Sequence, residues 1–294
     1  MTTAPDLLLR LVAESRAEVE LRRAAMPEAR LERLAAALPA PRDFVGALRA
    51  EGLSVIAEAK ARTPLMGVLV EDYSPGRLAS LYTAAGAAAL SVLCQETSFG
   101  GRPEHLAEAR GVSDLPIMRK DFVVTEHQVL EARAYGADAV LLIVAALSPE
   151  SLRALLQLVR ALGMEALVEV HTEAEVETAL EAEARVVGVN HRDLVTFQLD
   201  VRLTDRLRPL VPAEVALVAE SGIHTAADAR RMRDAGADAI LVGEALMRAP
   251  DPAAVLRELS LPGLRDVRIP SPGPSPYPPS SGEGRRREEE EEEG

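Results

Sequence analysis

Short apolar runs recur along this chain between positions 54 and 242, and half of them end in a polar or charged residue. The runs at 54–60, 88–94, 116–121, 138–144, 166–170, 185–190, 215–220 and 238–242 have the length and β-branched content of buried strands, and helical patterns fill the intervals. Their spacing of about 20 to 35 residues is that of βα units. Eight such units are what a closed barrel requires, so the pattern predicts an α/β fold, the (β/α)8 TIM barrel. A weak internal repeat agrees. Gly86, Gly136 and Gly236 each sit where a helix closes and the next strand opens, 50 and 100 residues apart. The aspartates that follow two of them, Asp138 and Asp238, fall at strand starts and are expected to stabilise the bottom of the barrel.

Ahead of the first run, Leu7, Leu8, Leu11 and Val12 share one helical face, as do Leu31, Leu34 and Leu38, with breaks at Met26-Pro27 and Pro39-Ala40-Pro41. Residues 1–50 therefore read as an N-terminal helical extension that covers part of the fold or the site, and residues 51–260 as the barrel. From 261 to 294 the composition turns to Pro, Ser and Gly and then to six consecutive glutamates, which predicts a disordered acidic C-terminal tail.

Composition changes this picture only at the edges. Apolar residues make up 48% of the 294 but aromatics only 3%, so Leu, Val and Ala must build the core. A single cysteine, Cys94, excludes an internal disulfide and fits a reducing cytosol; with no histidine placed as its base it reads as a small apolar filler. Charged residues interrupt the N-terminal leucines, and the longest apolar run, near Val140 to Leu147, is too short to span a bilayer. A soluble, cytoplasmic protein is expected. The net charge of −13, of which the tail carries only −3, argues against nucleic acid as a partner. Local positive clefts can still attract small anions, and a monomer is the expected state.

Barrel enzymes take their catalytic groups from the C-terminal ends of the strands. Those positions hold Glu58 and Lys60, Cys94, Lys120, Glu169, Asn190 with Arg192, Glu220 with Ser221, and Gly243. Glu58 and Lys60 lie two apart, so a strand projects both from one face. Glu169 is the sharpest signal, a lone carboxylate inside the apolar run Leu167-Val168-Glu169-Val170. The loops Ser221-Gly222 and Gly243-Glu244 follow the seventh and eighth runs, where glycine lets backbone N–H groups approach an anion and a short helix at 244–248 would turn its positive end toward it. Each feature alone also has a structural reading, as a strand-end ion pair or a tight turn. The five histidines show no metal-ligand spacing, and no metal site, nucleotide loop or Ser/His/Asp set is present. His171-Thr172 reads as a capped helix start.

Six ordered stretches carry a family resemblance: Ile56-Ala57-Glu58-Ala59-Lys60, Pro116 to Phe122, Leu167 to Val170, Gly188-Val189-Asn190-His191-Arg192-Asp193-Leu194, Ala219 to Ile223 and Val242 to Met247. Over about residues 1–260 the chain resembles the indole-3-glycerol phosphate synthases of tryptophan biosynthesis. The resemblance implies a cofactor-free, metal-free ring closure of 1-(2-carboxyphenylamino)-1-deoxyribulose 5-phosphate, with loss of carbon dioxide and water. It implies Lys120 as general acid, Glu58 and Glu169 as proton-moving and charge-stabilising groups, and Lys60 at substrate anions or as a second acid. Asn190 and Ser221 complete the catalytic set. Thr63, Phe99, Phe122, Arg192 and Glu220 would bind substrate, and Gly222, Gly243 and Glu244 the phosphate. Two departures stand out. The loop Ala61-Arg62-Thr63-Pro64-Leu65-Met66-Gly67 lacks the family's lysine though Thr63 keeps a hydroxyl, and Leu93-Cys94-Gln95-Glu96 replaces Leu-Thr-Glu or Leu-Thr-Asp.

Other activities fit the same barrel. A sugar-phosphate isomerase such as phosphoribosyl-anthranilate isomerase would use a cysteine and an aspartate, a Schiff-base aldolase would use Lys60 or Lys120 as nucleophile, and a retained binding or scaffold barrel would use none of them.

Overall fold

The computed structural model of the chain describes residues 5–64, 66–193, 196 and 198–260, so the acidic tail, Leu65 and Leu194 lie outside the described residues. Eight parallel strands close on themselves: β1 Ser54–Ala59, β2 Ala89–Leu93, β3 Ile117–Lys120, β4 Ala139–Ile143, β5 Glu165–Val170, β6 Val186–Asn190, β7 Ala216–Glu220 and β8 Ala239–Val242. Each strand pairs with its neighbours in sequence, and β8 returns to β1 through Ser54 opposite Ala239 to Ala57 opposite Val242. Every predicted run is thus a barrel strand.

Alternation along each strand divides the core in two. Ile56, Met118, Leu141, Leu167, Val186, Val218 and Leu241 point inward and fill the barrel. Val55, Leu90, Ile117, Val140, Val168, Val187 and Leu217 point outward under the helices. Both faces of the sheet are buried, which is why the strands are written as continuous apolar runs instead of alternating ones. Helices on the outside start at side-chain caps: Thr125 accepts from Gln128 N, Ser148 from Ser151 N, Thr172 from Glu175 N and Thr225 from Asp228 N. The helix start expected at Thr172 is present.

Three helices precede the barrel, α1 Pro5–Ala25, α2 Glu28–Ala37 and α3 Phe44–Leu48. Phe44 and Leu48 of α3 are buried among the inward-pointing side chains and close the bottom. At the other end α1 crosses the mouth, where Leu11 joins the interior cluster. A buried ion network fixes α1 from outside the sheet. Arg22 donates to both oxygens of Glu131 at 2.8 and 3.2 Å, and Glu131 accepts from the fully buried Arg119 of β3 at 2.8 Å. Arg119 also donates to Asp121 at 2.7 Å. The strand therefore alternates chemistry as well as direction, with Arg119 and Asp121 outward and Lys120 inward.

The two strand-start aspartates act as clamps at the bottom. Asp138 accepts from the backbone N–H of Arg42 and of Ile117, each at 2.8 Å, and pairs with Arg110. Asp238 accepts from Leu217 N at 2.8 Å. Replacing Asp138 with alanine strips a half-buried arginine and two amides of their acceptor, so Asp138→Ala should lower the unfolding free energy by about 3 kcal/mol, read from denaturant midpoints. Turnover per folded molecule should be unchanged, because Asp138 lies at the end remote from the mouth.

Candidate active site

The C-terminal ends of the strands open into a cavity of about 250 Å³. Glu58, Lys60, Lys120, Glu169, Asn190, Glu220, Ser221, Gly222, Gly243 and Glu244 line it, with Thr63, Phe99, Phe122 and Arg192, so each site residue singled out from the sequence faces one space. The sheet explains the convergence. Glu58, Lys60, Lys120, Glu169, Asn190 and Glu220 continue the inward-pointing registers of β1, β3, β5, β6 and β7 past the last apolar layer.

The charges inside are paired. Lys60 Nζ lies 2.6 Å from Glu58 Oε1, and Lys120 Nζ lies 3.0 Å from Glu169 Oε2 and 3.3 Å from Glu220 Oε2. Burial alone would lower the Lys120 pKa, but Glu169, Glu220 and Glu58 together push it well above the ordinary lysine value, so the amine stays charged. Burial pulls Glu169 upward, yet Lys120, His171 and the Asn190 amide, which donates to Oε1 at 3.1 Å, hold it below the usual carboxylate range. Glu220 has fewer partners. Burial raises it to about 7, with Lys120 opposing and Glu169 and Glu58 adding to the rise. Its Oε1 is buried and meets no hydrogen-bond donor among the described residues. The mouth therefore holds a charged amine, a firmly ionised carboxylate and a carboxyl that carries a proton part of the time near neutral pH.

Hydrogen bonds run onward from Glu169. Asn190 Oδ1 accepts from Ser221 Oγ at 2.8 Å and from Arg192 N at 3.0 Å, which links β6 to the loop after β7. Ser221 occupies φ 68°, a left-handed conformation that costs a non-glycine residue of order 1 kcal/mol, and Gly222 follows at φ 72°. His191 steadies that turn from beneath, with Nδ1 2.9 Å from Ser221 O and Nε2 2.7 Å from Thr204 Oγ1.

Glycine at 243 serves a need beyond the one its sequence position suggests. Its φ of −125° is open to other residues, but a Cβ there would lie 2.2 Å from Glu58 Oε1 and 2.9 Å from Lys60 Nζ. Gly188 makes the same allowance for Glu220, whose Oε1 would be 2.3 Å from an added Cβ. Gly243→Ala should therefore displace the Glu58–Lys60 pair and lower kcat/KM by about a hundredfold in steady-state assays, with the melting temperature little changed.

An apolar wall faces the charges. Phe99 and Phe122 lie 6.2 Å apart at 40°, and Leu7 and Leu11 of α1 line the same cavity. The two leucines were legible as one helical face but not as part of a site, because nothing local tells which partner that face covers. His171 was also missed as a neighbour of Glu169. Its Nε2 is 3.5 Å from Glu169 Oε1 and its Nδ1 3.2 Å from Glu175, while the available signal was the spacing of two from Glu169 at a strand end. Cys94 is fully buried and burial raises its thiol pKa, which fits the filler role. No group of three or more possible metal ligands occurs among the described residues, and no described helix is long and apolar enough to cross a membrane.

Comparison with known proteins agrees in fold and in family. A solved N-acetylmannosamine-6-phosphate 2-epimerase from Clostridium perfringens superposes with a TM-score of 0.55 at 18% identity, covering 69% of this chain and 90% of that one, a likeness of fold alone. Closer similarity lies elsewhere. The family model for indole-3-glycerol phosphate synthase matches residues 8–259. Indole-3-glycerol phosphate synthase 2 of Streptomyces coelicolor is 56% identical over 253 residues, which cover 86% of this chain and 98% of the relative. The synthase of Dehalococcoides mccartyi is 47% identical over 257 residues, 86% of this chain and 99% of its own length. Matches that run through both the N-terminal helices and all eight strands settle the relationship, and the chain belongs to the indole-3-glycerol phosphate synthase family.

Proposed function

We propose that the chain is a carboxy-lyase that converts 1-(2-carboxyphenylamino)-1-deoxyribulose 5-phosphate to indole-3-glycerol phosphate, carbon dioxide and water in tryptophan biosynthesis. The observation that carries this reading is the placement of a charged Lys120 between Glu169 and Glu220, in the same mouth as a second amine paired with Glu58. Ring closure needs a proton at the ketone oxygen while the aromatic carbon bearing the carboxylate attacks the ketone carbon. Lys120 supplies that proton. The bond to the carboxylate then breaks, its electron pair restores the aromatic ring, and carbon dioxide leaves. Dehydration follows: the new hydroxyl departs as water with a proton from Lys60 or Lys120, and Glu169 or Glu58 removes a proton from the adjoining carbon. One proton is consumed overall.

The remaining residues position. Asn190 orients Glu169, Arg192 meets the anthranilate carboxylate region, and Phe99 and Phe122 flank the ring. Thr63 and Ser221 contact the sugar-phosphate chain, and the backbone at Gly222, Gly243 and Glu244 lies along the phosphate. The Schiff-base alternative fits poorly, because the carboxylates that keep Lys120 protonated remove the free electron pair an attacking amine needs.

Mixing the purified chain with the carboxyphenylamino sugar phosphate should produce indole fluorescence that no protein tryptophan obscures, since the chain contains no Trp. Folded protein that gives no such signal would overturn the reading. Stabilisation by product without turnover would mark a binding barrel, and a borohydride-trapped lysine adduct would mark an aldolase.

A further inference from the structure

The segment between β2 and the helix Glu104–Arg110 carries Phe99, half of the aromatic wall, yet it has no strand or helix of its own to hold it. What holds it is Gln95. This side chain is fully buried, and its two ends face opposite chemistry. Its Oε1 accepts from Ser98 N at 2.8 Å and Phe99 N at 3.1 Å. Its Nε2 donates to Glu18 Oε1 at 2.9 Å and Glu14 Oε2 at 3.3 Å, both on α1.

The two acids complete the join. Glu18 Oε1 also accepts from Thr97 N at 2.9 Å and Thr97 Oγ1 at 2.7 Å, Glu18 Oε2 accepts from Glu96 N at 3.2 Å, and Glu14 Oε2 accepts from Ser98 Oγ at 2.7 Å. Arg22 and Arg10 stand behind them on α1, 3.8 Å from Glu18 and 3.5 Å from Glu14. Only a neutral group that donates at one end and accepts at the other satisfies both sides of position 95. A carboxylate there would keep the loop amides but would set a third negative charge against Glu14 and Glu18.

We propose that Gln95 is a positioning residue: its amide couples α1 to the backbone that carries Phe99, and so sets the apolar wall formed by Phe99, Phe122, Leu7 and Leu11. The consequence for turnover rests on the function proposed above, with the substrate's ring lying on that wall. Coupling α1 to the loop does not rest on it.

The test uses the full chain and three variants. At about pH 8, Gln95→Glu should raise KM about tenfold relative to wild type with a smaller change in kcat, because a hydrogen bond to a charged group is replaced by repulsion. At about pH 5.5 the carboxyl introduced at position 95, its pKa raised by burial and by Glu14 and Glu18, takes up a proton and can donate again, so the KM ratio should return toward one. Glu18→Gln alone should also raise KM. The double variant Gln95→Glu/Glu18→Gln restores one donor facing position 95 but turns an N–H on a loop amide and leaves Glu14 in place, so it should recover part of the loss at about pH 8. A merely space-filling role would show neither the pH recovery nor the rescue. Amide hydrogen exchange over α1, measured without substrate, should speed up in Gln95→Glu at the higher pH and slow again in the double variant.

A wild-type KM in folded Gln95→Glu at the higher pH, or a KM raised equally at both pH values and in the double variant, would overturn the proposal. If wild type itself fails to turn over the substrate, the exchange measurement still decides: unchanged α1 protection sinks the coupling, and altered protection sustains it while the functional reading fails. Should Gln95→Glu not fold, Glu18→Gln supplies both readouts alone.

Discussion

Lys120→Ala should lose at least about a thousandfold in kcat while remaining folded, the largest single effect expected from any substitution in the mouth. Two carboxylates hold the amine inside the cavity, 3.0 Å from Glu169 and 3.3 Å from Glu220. Water admitted by the truncation can hydrate the ketone but cannot present a fixed, charged donor to it. Stability should respond in a way that identifies the cause. In wild type, Glu169 is held below the usual carboxylate range with Lys120 among the causes, so its ionisation favours the folded state. Without Lys120, burial dominates and raises both Glu169 and Glu220 above their unfolded values. The folded variant then binds more protons than the unfolded chain between those limits, and its stability should fall as pH rises from about 5 toward 8. Thermal unfolding across that interval measures the slope. A Lys120→Ala enzyme with wild-type kcat would falsify its assignment as the general acid.

Glu169→Gln should follow closely, with kcat lower by about a hundredfold or more and KM nearly unchanged. The amide has the carboxylate's shape but cannot take a proton. It also cannot satisfy its neighbours: Asn190 Nδ2 donates to Oε1 and Lys120 Nζ donates to Oε2, so one of them must face an N–H whichever way the amide is turned. Lys120 keeps Glu220 as partner and remains charged, which separates the effect from loss of the acid. Single-turnover kinetics with enzyme in excess of substrate would show the slowed step directly. Unaltered turnover would place proton removal on Glu58 instead.

The barrel was legible because each apolar run had the length of one strand, and the site was legible because the polar residues that end several of them share a parity. Glu58, Lys120, Glu169 and Asn190 all continue the inward register of their strands, so alternation brings them together without knowledge of the loops. Parity also explains the misses. Arg119 has the opposite parity to Lys120 and reaches outward to Glu131, which Arg22 meets across about a hundred residues, a contact that no local pattern announces. The two-stranded hairpin of Arg62–Thr63 with Gly67–Val68 is too short to have a period. Gln95 was legible as a departure from the family's acidic residue, but its meaning depends on Glu14 and Glu18, which arrive from the start of the chain. Glycine at 243 was read for its backbone alone, and the room it leaves for the side chains opposite it was not legible.

The ring of strands has a bearing on solubility as well. Segments such as Ala139–Ile143, five consecutive buried apolar residues with no charge and no proline, have the composition of sequences that stack into cross-β fibrils when their backbones are left unpaired. Here both flanks of each barrel strand are occupied, β1 against β8 included, and an incoming polypeptide finds no vacant row of amides on the barrel on which to grow. The danger is thereby confined to the time before closure, when β1 and β8, separated by most of the chain, have yet to meet.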